Sequence, residues 1–299
     1  MMSPKIFVLL FFRNLERAFK KLHRPWVMHR LRAVNASSQQ KITAEGGPIV
    51  SLTTYDKRFD IVFYTIESIA KGSLLPSRIT LWVDEKLCNA PLPPPLERLQ
   101  ARGLEIKSAE DLGPHTKYFP EVTSERDAQR PFITADDDTL YPRYWLERLH
   151  REHLKHPGTI LCYRARKISF SDTGRLLPYG SWLPCFSTTS SPLHFSTGVC
   201  GALFPGEMRD ALRSKSKEFE SKCLRADDIW LNWVAVNAGI PVKQIVLVHK
   251  KFYEVPGTRE FALANRNNRA GGNDIQLEKT YSADVLAHLF ERWKNSQQI

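Results

Sequence analysis

Cysteine is scarce in this chain, and what there is does not pair up. Cys88, Cys162, Cys185, Cys200 and Cys223 are odd in number, widely spaced and without a CxxC pair. The pattern argues against a disulfide framework or a zinc ribbon, and a reducing compartment is expected. Long apolar runs are missing as well. Ile6 to Phe12 falls far short of the ~20 residues needed to span a bilayer, and no small-residue cleavage site follows it. Neither a transmembrane helix nor a signal peptide is expected. Internal repeats and low-complexity tracts are also absent.

The 299 residues are 42% hydrophobic and 25% charged, enough for one large core. The net charge is +11, and seven of those charges lie in residues 1–33, where Lys5, Arg13, Arg17, Lys20, Lys21, Arg24, Arg30 and Arg32 face Glu16 alone. Phe12, Leu15, Phe19, Leu22 and Trp26 recur there at helical spacing. The segment fits a helix lying on an anionic membrane surface, or equally one packed on the body with a solvated basic face. We expect a basic arm over residues 1–46, a catalytic domain over 47–255 and a C-terminal extension packing on it over 256–299.

From residue 48 the pattern alternates. Ile49 to Thr53 forms a β-rich run, Val62, Ile66, Ile69 and Ala70 mark a helical stripe, and Ile79 to Val83 forms a second run, together a βαβ unit with parallel pairing. Leu104 to Ile106 and Pro131 to Thr134 predict two further strands. The predicted class is α/β: a Rossmann-type, mostly parallel sheet flanked by helices. Ligands bind such sheets beyond the carboxyl ends of the strands, where Asp136, Asp137 and Asp138 are expected.

Three adjacent carboxylates repel one another unless a cation neutralises them, and hard oxygen ligands suit Mg²⁺ or Mn²⁺. The competing explanation is helix capping by Asp138 or Thr139 ahead of Pro142, which accounts for one carboxylate only. An EF-hand is excluded, since its glycine and closing Glu are missing. In "RADDIWLNWVAV", Asp227 and Asp228 precede an apolar helix, where either could cap it or serve as a base. Between the acidic sites, Gly198 and Gly201 of "HFSTGVCGALFP" bracket a turn.

"VSLTTYDKR", "ITADDDTLYP", "STGVCGALFP" and "ADDIW", in this order, resemble the GT-A-fold glycosyltransferases of bacterial capsule and lipopolysaccharide assembly, over about residues 48–275. The resemblance implies a DxD motif in which Asp136 and Asp138 hold Mn²⁺ or Mg²⁺. It further implies a nucleotide-sugar donor, first among them a UDP-sugar, lined by Thr54, Tyr55, Asp136, Asp137, Thr197, Gly198 and Gly201. The catalytic base would come from Asp227 and Asp228, with Asp228 favoured, although many members of the wider fold carry Glu-Asp there. A late His in several relatives completes the metal shell, which would be His249 at the end of an apolar strand Ile245 to Val248; a buried His satisfied by a carbonyl is the alternative.

Transfer from such a donor builds negative charge on the departing diphosphate, and Arg58 and Lys117 are the candidate cations to meet it. The expected protein is thus an inverting, metal-dependent glycosyltransferase with a glycan or glycolipid acceptor, peripheral at the inner face of a bacterial membrane. A two-metal nucleotidyltransferase acting on a sugar phosphate is the second class. A basic nucleic-acid-binding protein is disfavoured, because no aromatic-interleaved basic sheet accompanies the charge.

Overall fold

The computed structural model describes residues 22–125, 127, 129–249, 251–258 and 272–297. Its strands are β1 (Ile49–Thr53), β2 (Arg78–Val83), β3 (Leu104–Ser108), β4 (Phe132–Ala135), β5 (Thr139–Leu140) and β6 (Ile160–Cys162). They continue with β7 (Ala165–Lys167), β8 (Ser190–Ser191), β9 (His194–Ser196), β10 (Ala202–Phe204), β11 (Val242–Gln244) and β12 (Tyr253–Glu254). Eight of these make one sheet in the order β3-β2-β1-β4-β10-β6-β11-β8. The first four in that order are parallel, β10 runs against both its neighbours, β6 and β11 are again parallel, and β8 closes the edge antiparallel. This is the mostly parallel α/β arrangement with flanking helices expected from the alternation of strand and helix.

Both faces of the sheet are covered, which is why its central strands are buried along nearly their whole length rather than alternating between buried and exposed. Ile49 and Phe132 enter one core cluster, whereas Val50, Leu52, Ile133 and Ala135 enter the other. The helices Phe63–Ala70 and Trp145–Lys155 cover the second face. The Asp227–Asn237 helix covers the first, and so do the C-terminal helices Gly272–Thr280 and Ala283–Gln297, through Leu277, Val285 and Leu289, with Tyr281 between them.

A helix over residues 22–37 lies on the second face. Leu31, 2% exposed, enters the cluster of Val50 and Leu52, and Asn35 Nδ2 donates to Glu67 Oε1 at 2.9 Å and to the Pro95 carbonyl at 3.0 Å. The packed side of this helix is therefore set by Leu31 and Asn35. Leu22 and Trp26, from the apolar stripe noted above, are 82% and 52% exposed. Phe12, Leu15 and Phe19 lie outside the described residues. No helix among the described residues is long and apolar enough to cross a membrane.

One predicted strand is displaced. Residues 245–248 form bends, and the strand in that region is β11, which ends at Gln244. Gln244 itself is pulled inward: its side-chain carbonyl accepts from Ala165 N–H at 2.8 Å, and its Nε2 donates to the Cys185 carbonyl at 2.9 Å. His249 is therefore not at a strand terminus.

Candidate active site

β1 and β4 are adjacent and parallel, with Leu52 opposite Ala135, so Thr54 and Asp136 emerge side by side beyond the carboxyl ends of the two strands. β10 is antiparallel to β4, with Ala202 opposite Thr134, which brings the preceding turn at Gly198 to the same edge. The Asp227–Asn237 helix begins there too, because Asp228 Oδ1 accepts the Gly198 N–H at 2.8 Å.

The three aspartates, in the turn that follows β4, differ in burial. Asp137 is buried: Thr54 Oγ1 donates to its Oδ2 at 2.7 Å and Arg58 Nη1 to its Oδ1 at 2.6 Å, and its carbonyl accepts from Thr65 Oγ1 at 2.8 Å. Asp136 and Asp138 are less deeply buried, keeping 27% and 21% of their side chains exposed, and Asp138 shares Arg58 Nη1 with Asp137. Thr54 and Asp137, two of the expected donor contacts, are buried against each other beside Asp136 and Asp138. Tyr55, next in sequence, is 40% exposed, with the Arg58 guanidinium 5.2 Å from its ring centre.

The two cations expected to meet a diphosphate are engaged by carboxylates. Arg58 reaches Asp138 at 3.1 Å as well as Asp137, and donates to the Thr258 carbonyl at 2.9 Å. Lys117 Nζ lies 2.7 Å from Asp227 Oδ2 and 3.6 Å from Asp136 Oδ1, joining the strand end to the helix start. Burial alone would drive the proton off Lys117, but Asp227, with Asp136 and Asp228 behind it, outweighs burial and raises the ammonium above the usual lysine range. The segment carrying it is anchored by Ser51 Oγ, which donates to the Lys117 carbonyl at 2.7 Å. Two residues earlier, His115 is buried between the Tyr118 hydroxyl and the Cys223 carbonyl, at 2.8 Å from each, and burial pushes it down to about 4, so it is neutral.

Neither acidic motif is a helix cap. The Asp227–Asn237 helix has Ala226 at its N-cap and the Trp145–Lys155 helix has Tyr144, neither with a side-chain capping bond. Asp227 and Asp228 both lie in the first turn, one on Lys117 and the other on Gly198. A side chain at 198 would displace Asp228 and Lys117. A Cβ there would sit 2.8 Å from Asp228 Oδ1 and 3.0 Å from Lys117 Nζ. Gly201, with φ of +78°, is pressed against the Trp145 ring and the Thr134 carbonyl, and so serves packing. Thr197 is buried, its N–H donating to the Arg164 carbonyl at 3.1 Å.

Asp136, Asp137, Asp138, Asp227 and Asp228 thus surround two cations, and with every group ionised three negative charges are left over. Burial, and the neighbouring carboxylates after it, push Asp136 up to about 7 against the pull of Lys117. Asp228 is also raised, by burial first and Asp227 second. Such a surplus suits a divalent cation. Among the described residues, however, no group of three or more His, Cys, Asp and Glu side chains converges as a metal cage, so the expected set of Asp136, Asp138 and His249 does not assemble. Asp136 and Asp138 remain as a partly exposed pair. Mg²⁺ and Mn²⁺ are commonly held by one or two carboxylates, with waters and substrate phosphates completing the shell, and the pair fits that pattern.

Tyr141, Thr65 and Thr258 were not foreseen. The Tyr141 hydroxyl accepts the Asp136 N–H at 2.8 Å, fixing the turn from behind. "TADDDTLYP" contains Tyr141, but nothing in its spacing signals this bond, and Thr65 and Thr258 reach the site only through tertiary folding.

No protein-family model and no curated protein matches the chain. Among solved structures, it is similar to CMP:2-keto-3-deoxy-manno-octonic acid synthetase complexed with CTP, at 11% identity over 74% of this chain and 98% of that one, with a TM-score of 0.43. Residues 1–349 of TarS from S. aureus match at 14% identity over 81% of this chain and 69% of that one, TM-score 0.47. The same TarS segment in complex with UDP matches at 15% identity over 82% and 71%, TM-score 0.46. At these identities and scores the likenesses decide nothing about the chemistry, which has to come from the side chains.

Proposed function

We propose that the protein is a metal-dependent, inverting glycosyltransferase that moves a hexose from a nucleoside-diphosphate sugar, first among them a UDP-sugar, to a hydroxyl of a surface-polysaccharide or lipid-linked acceptor at the inner face of a bacterial membrane. The observation that carries this reading is the Lys117 bridge. It draws a partly exposed carboxylate pair at a strand end and a second acidic pair at a helix start, about ninety residues apart in sequence, into one cluster. A displacement at an anomeric carbon needs two such groups of different charge state: one to neutralise the leaving diphosphate, one to take a proton from the attacking hydroxyl.

Asp228 suits the second task. It is aimed by the Gly198 N–H, and its raised proton affinity brings it toward the range where a carboxylate accepts a proton at neutral pH. The acceptor oxygen forms its bond to the anomeric carbon as its proton passes to Asp228 and the bond to the diphosphate breaks, with inversion. Lys117 keeps Asp227 paired, so only Asp228 is left for proton transfer. Arg58 fixes Asp137 and Asp138, and the exposed Tyr55 ring offers a face to the donor base. Asp136 and Asp138 would hold Mn²⁺ or Mg²⁺, which when bound supplies charge stabilisation to the departing diphosphate.

The test is transfer from a panel of nucleotide sugars, with chelator and with either metal restored. Loss in chelator, recovery on adding metal and release of a nucleoside diphosphate are expected, with Asp138→Asn folded and nearly inactive. Full activity in excess chelator would overturn the metal assignment. Release of pyrophosphate would replace the proposal by a nucleotidyltransferase acting on a sugar phosphate.

A further inference from the structure

Beside the acidic turn lies a second concavity that contains none of its five aspartates. Its volume is about 980 Å³, at the upper end of the ~300–1,000 Å³ range of ligand pockets. The residue 22–37 helix, the Phe63–Ala70 helix and the segment from Leu140 to Tyr144 wall it. Val27, Leu31, Val34, Ala70, Leu140 and Phe252 supply apolar lining. Tyr141 is shared, lining this space while its hydroxyl holds the Asp136 N–H.

The same walls carry Arg30, Lys71 and Arg143. Burial, and then the Arg30 guanidinium, hold the Lys71 ammonium below the ordinary lysine range; Arg143 adds to the repulsion and only Glu67 opposes it. Glu67 is already committed, since Arg102 grips its two oxygens at 2.5 and 3.3 Å and Asn35 donates to one of them. Among the described residues no carboxylate forms an ion pair with Arg30, Lys71 or Arg143. Three cations line an apolar space with no anion among the described residues to answer them. At its open side Arg30 and Arg143 are exposed, Arg30 stands 4.9 Å over the Trp26 ring, and Trp26 and Leu22 present uncovered apolar surface to the outside. Tryptophan beside arginine, with one end apolar and the other wet, suits a membrane interface.

We infer that this cavity binds a membrane lipid phosphate, its apolar chain lying between the residue 22–37 helix and Ala70, and its phosphate meeting Arg30, Lys71 and Arg143. Charge complementarity selects an anion, the lining selects a chain, and the exposed Leu22 and Trp26 select a bilayer as the source. The inference does not rest on the transferase reading, because the proposed base and metal ligands lie outside the cavity.

The experiment uses the full chain with short-chain phosphatidate, short-chain phosphatidylcholine and inorganic phosphate as probes, and reads the rise in melting temperature, since a ligand of the folded state alone raises it. Cosedimentation with phosphatidylcholine vesicles, with and without phosphatidate, provides the bilayer arm. Phosphatidate is expected to stabilise and the other two probes to have little effect, and phosphatidate-containing vesicles should retain the protein. Lys71→Ala, which removes a cation, and Val34→Trp, which fills the cavity without changing charge, should each weaken phosphatidate binding at least tenfold. Asp228→Asn, inactive in transfer on the reading above, should bind phosphatidate as the unaltered chain does. Equal stabilisation by inorganic phosphate would make the occupant a free anion and overturn the lipid assignment. Equal stabilisation by phosphatidylcholine would remove the role of the cations. Undiminished binding by Lys71→Ala, which retains the whole cavity wall and does not depend on the filling variant folding, would place the lipid elsewhere.

Discussion

Burial of Asp228 costs the folded chain stability as pH rises. Its proton affinity is higher in the folded chain than in the unfolded one, where an aspartate titrates near 3.8, so the folded state is not penalised below that value and is penalised progressively as pH rises toward neutrality. Asp228→Asn keeps the Gly198 bond and removes the charge. Its melting temperature, measured between about pH 4 and pH 8, should therefore pull increasingly above that of the unaltered chain, while turnover drops by ~10²-fold or more with donor KM little changed. A variant that loses turnover without the pH-dependent gain in melting temperature would put Asp228 in a different environment from the one described. Gly198→Ala tests the same point from the backbone, because its methyl group would displace both Asp228 and Lys117. Loss of activity in a folded protein is the expected outcome, seen in kcat and in an unchanged far-UV spectrum. The sequence made the acidic residues visible as candidates but not their division of labour. A run of three aspartates does not say which one is buried deepest, and Asp137 is recognised as that one only once Thr54 and Arg58, some eighty residues earlier, are seen to hold it.

Elements were legible where the chain itself carries the pattern. β1 was predicted at its observed limits, and β2, β3 and β4 within one or two residues, because apolar runs bounded by turn residues need no partner to be recognised. β10 is as apolar as its neighbours, so its antiparallel direction could not be read from composition. The displaced strand near His249 has a similar cause: residues 245–248 are apolar enough to suggest a strand, but the buried Gln244 side chain satisfies backbone groups that extended pairing would otherwise have met. For the residue 22–37 helix, periodicity exposed an apolar stripe, whereas its packing depends on Leu31 and Asn35. Leu31→Ala should cost about 2–5 kcal/mol in denaturant unfolding, the usual range for a buried leucine. Leu22→Ser should stay within about 0.5 kcal/mol, as exposed substitutions generally do. Equal effects would mean that the helix is not docked on the face described.

For the molecule as a whole, the sheet is the common wall of both core clusters, with Ile49 and Phe132 serving one while Val50, Leu52 and Ile133 serve the other. Neither cluster can lose its packing without exposing strands that support the other. A single unfolding transition is expected, with near-UV signal, far-UV signal and activity lost together and with calorimetric and van't Hoff enthalpies in agreement. Two resolved transitions would divide the molecule along that sheet. The Lys117 bridge has a different consequence, one of timing. A ribosome releases Asp136 well before Asp227 and Asp228, so a nascent chain already holding the parallel strands β1 to β4 has Asp136 and Asp138 but not the acidic helix start that Lys117 joins to them. On the proposed reading, competence for transfer arrives late in synthesis, when the Asp227–Asn237 helix closes onto Lys117, and chains stalled before that point should leave nucleotide sugar unspent.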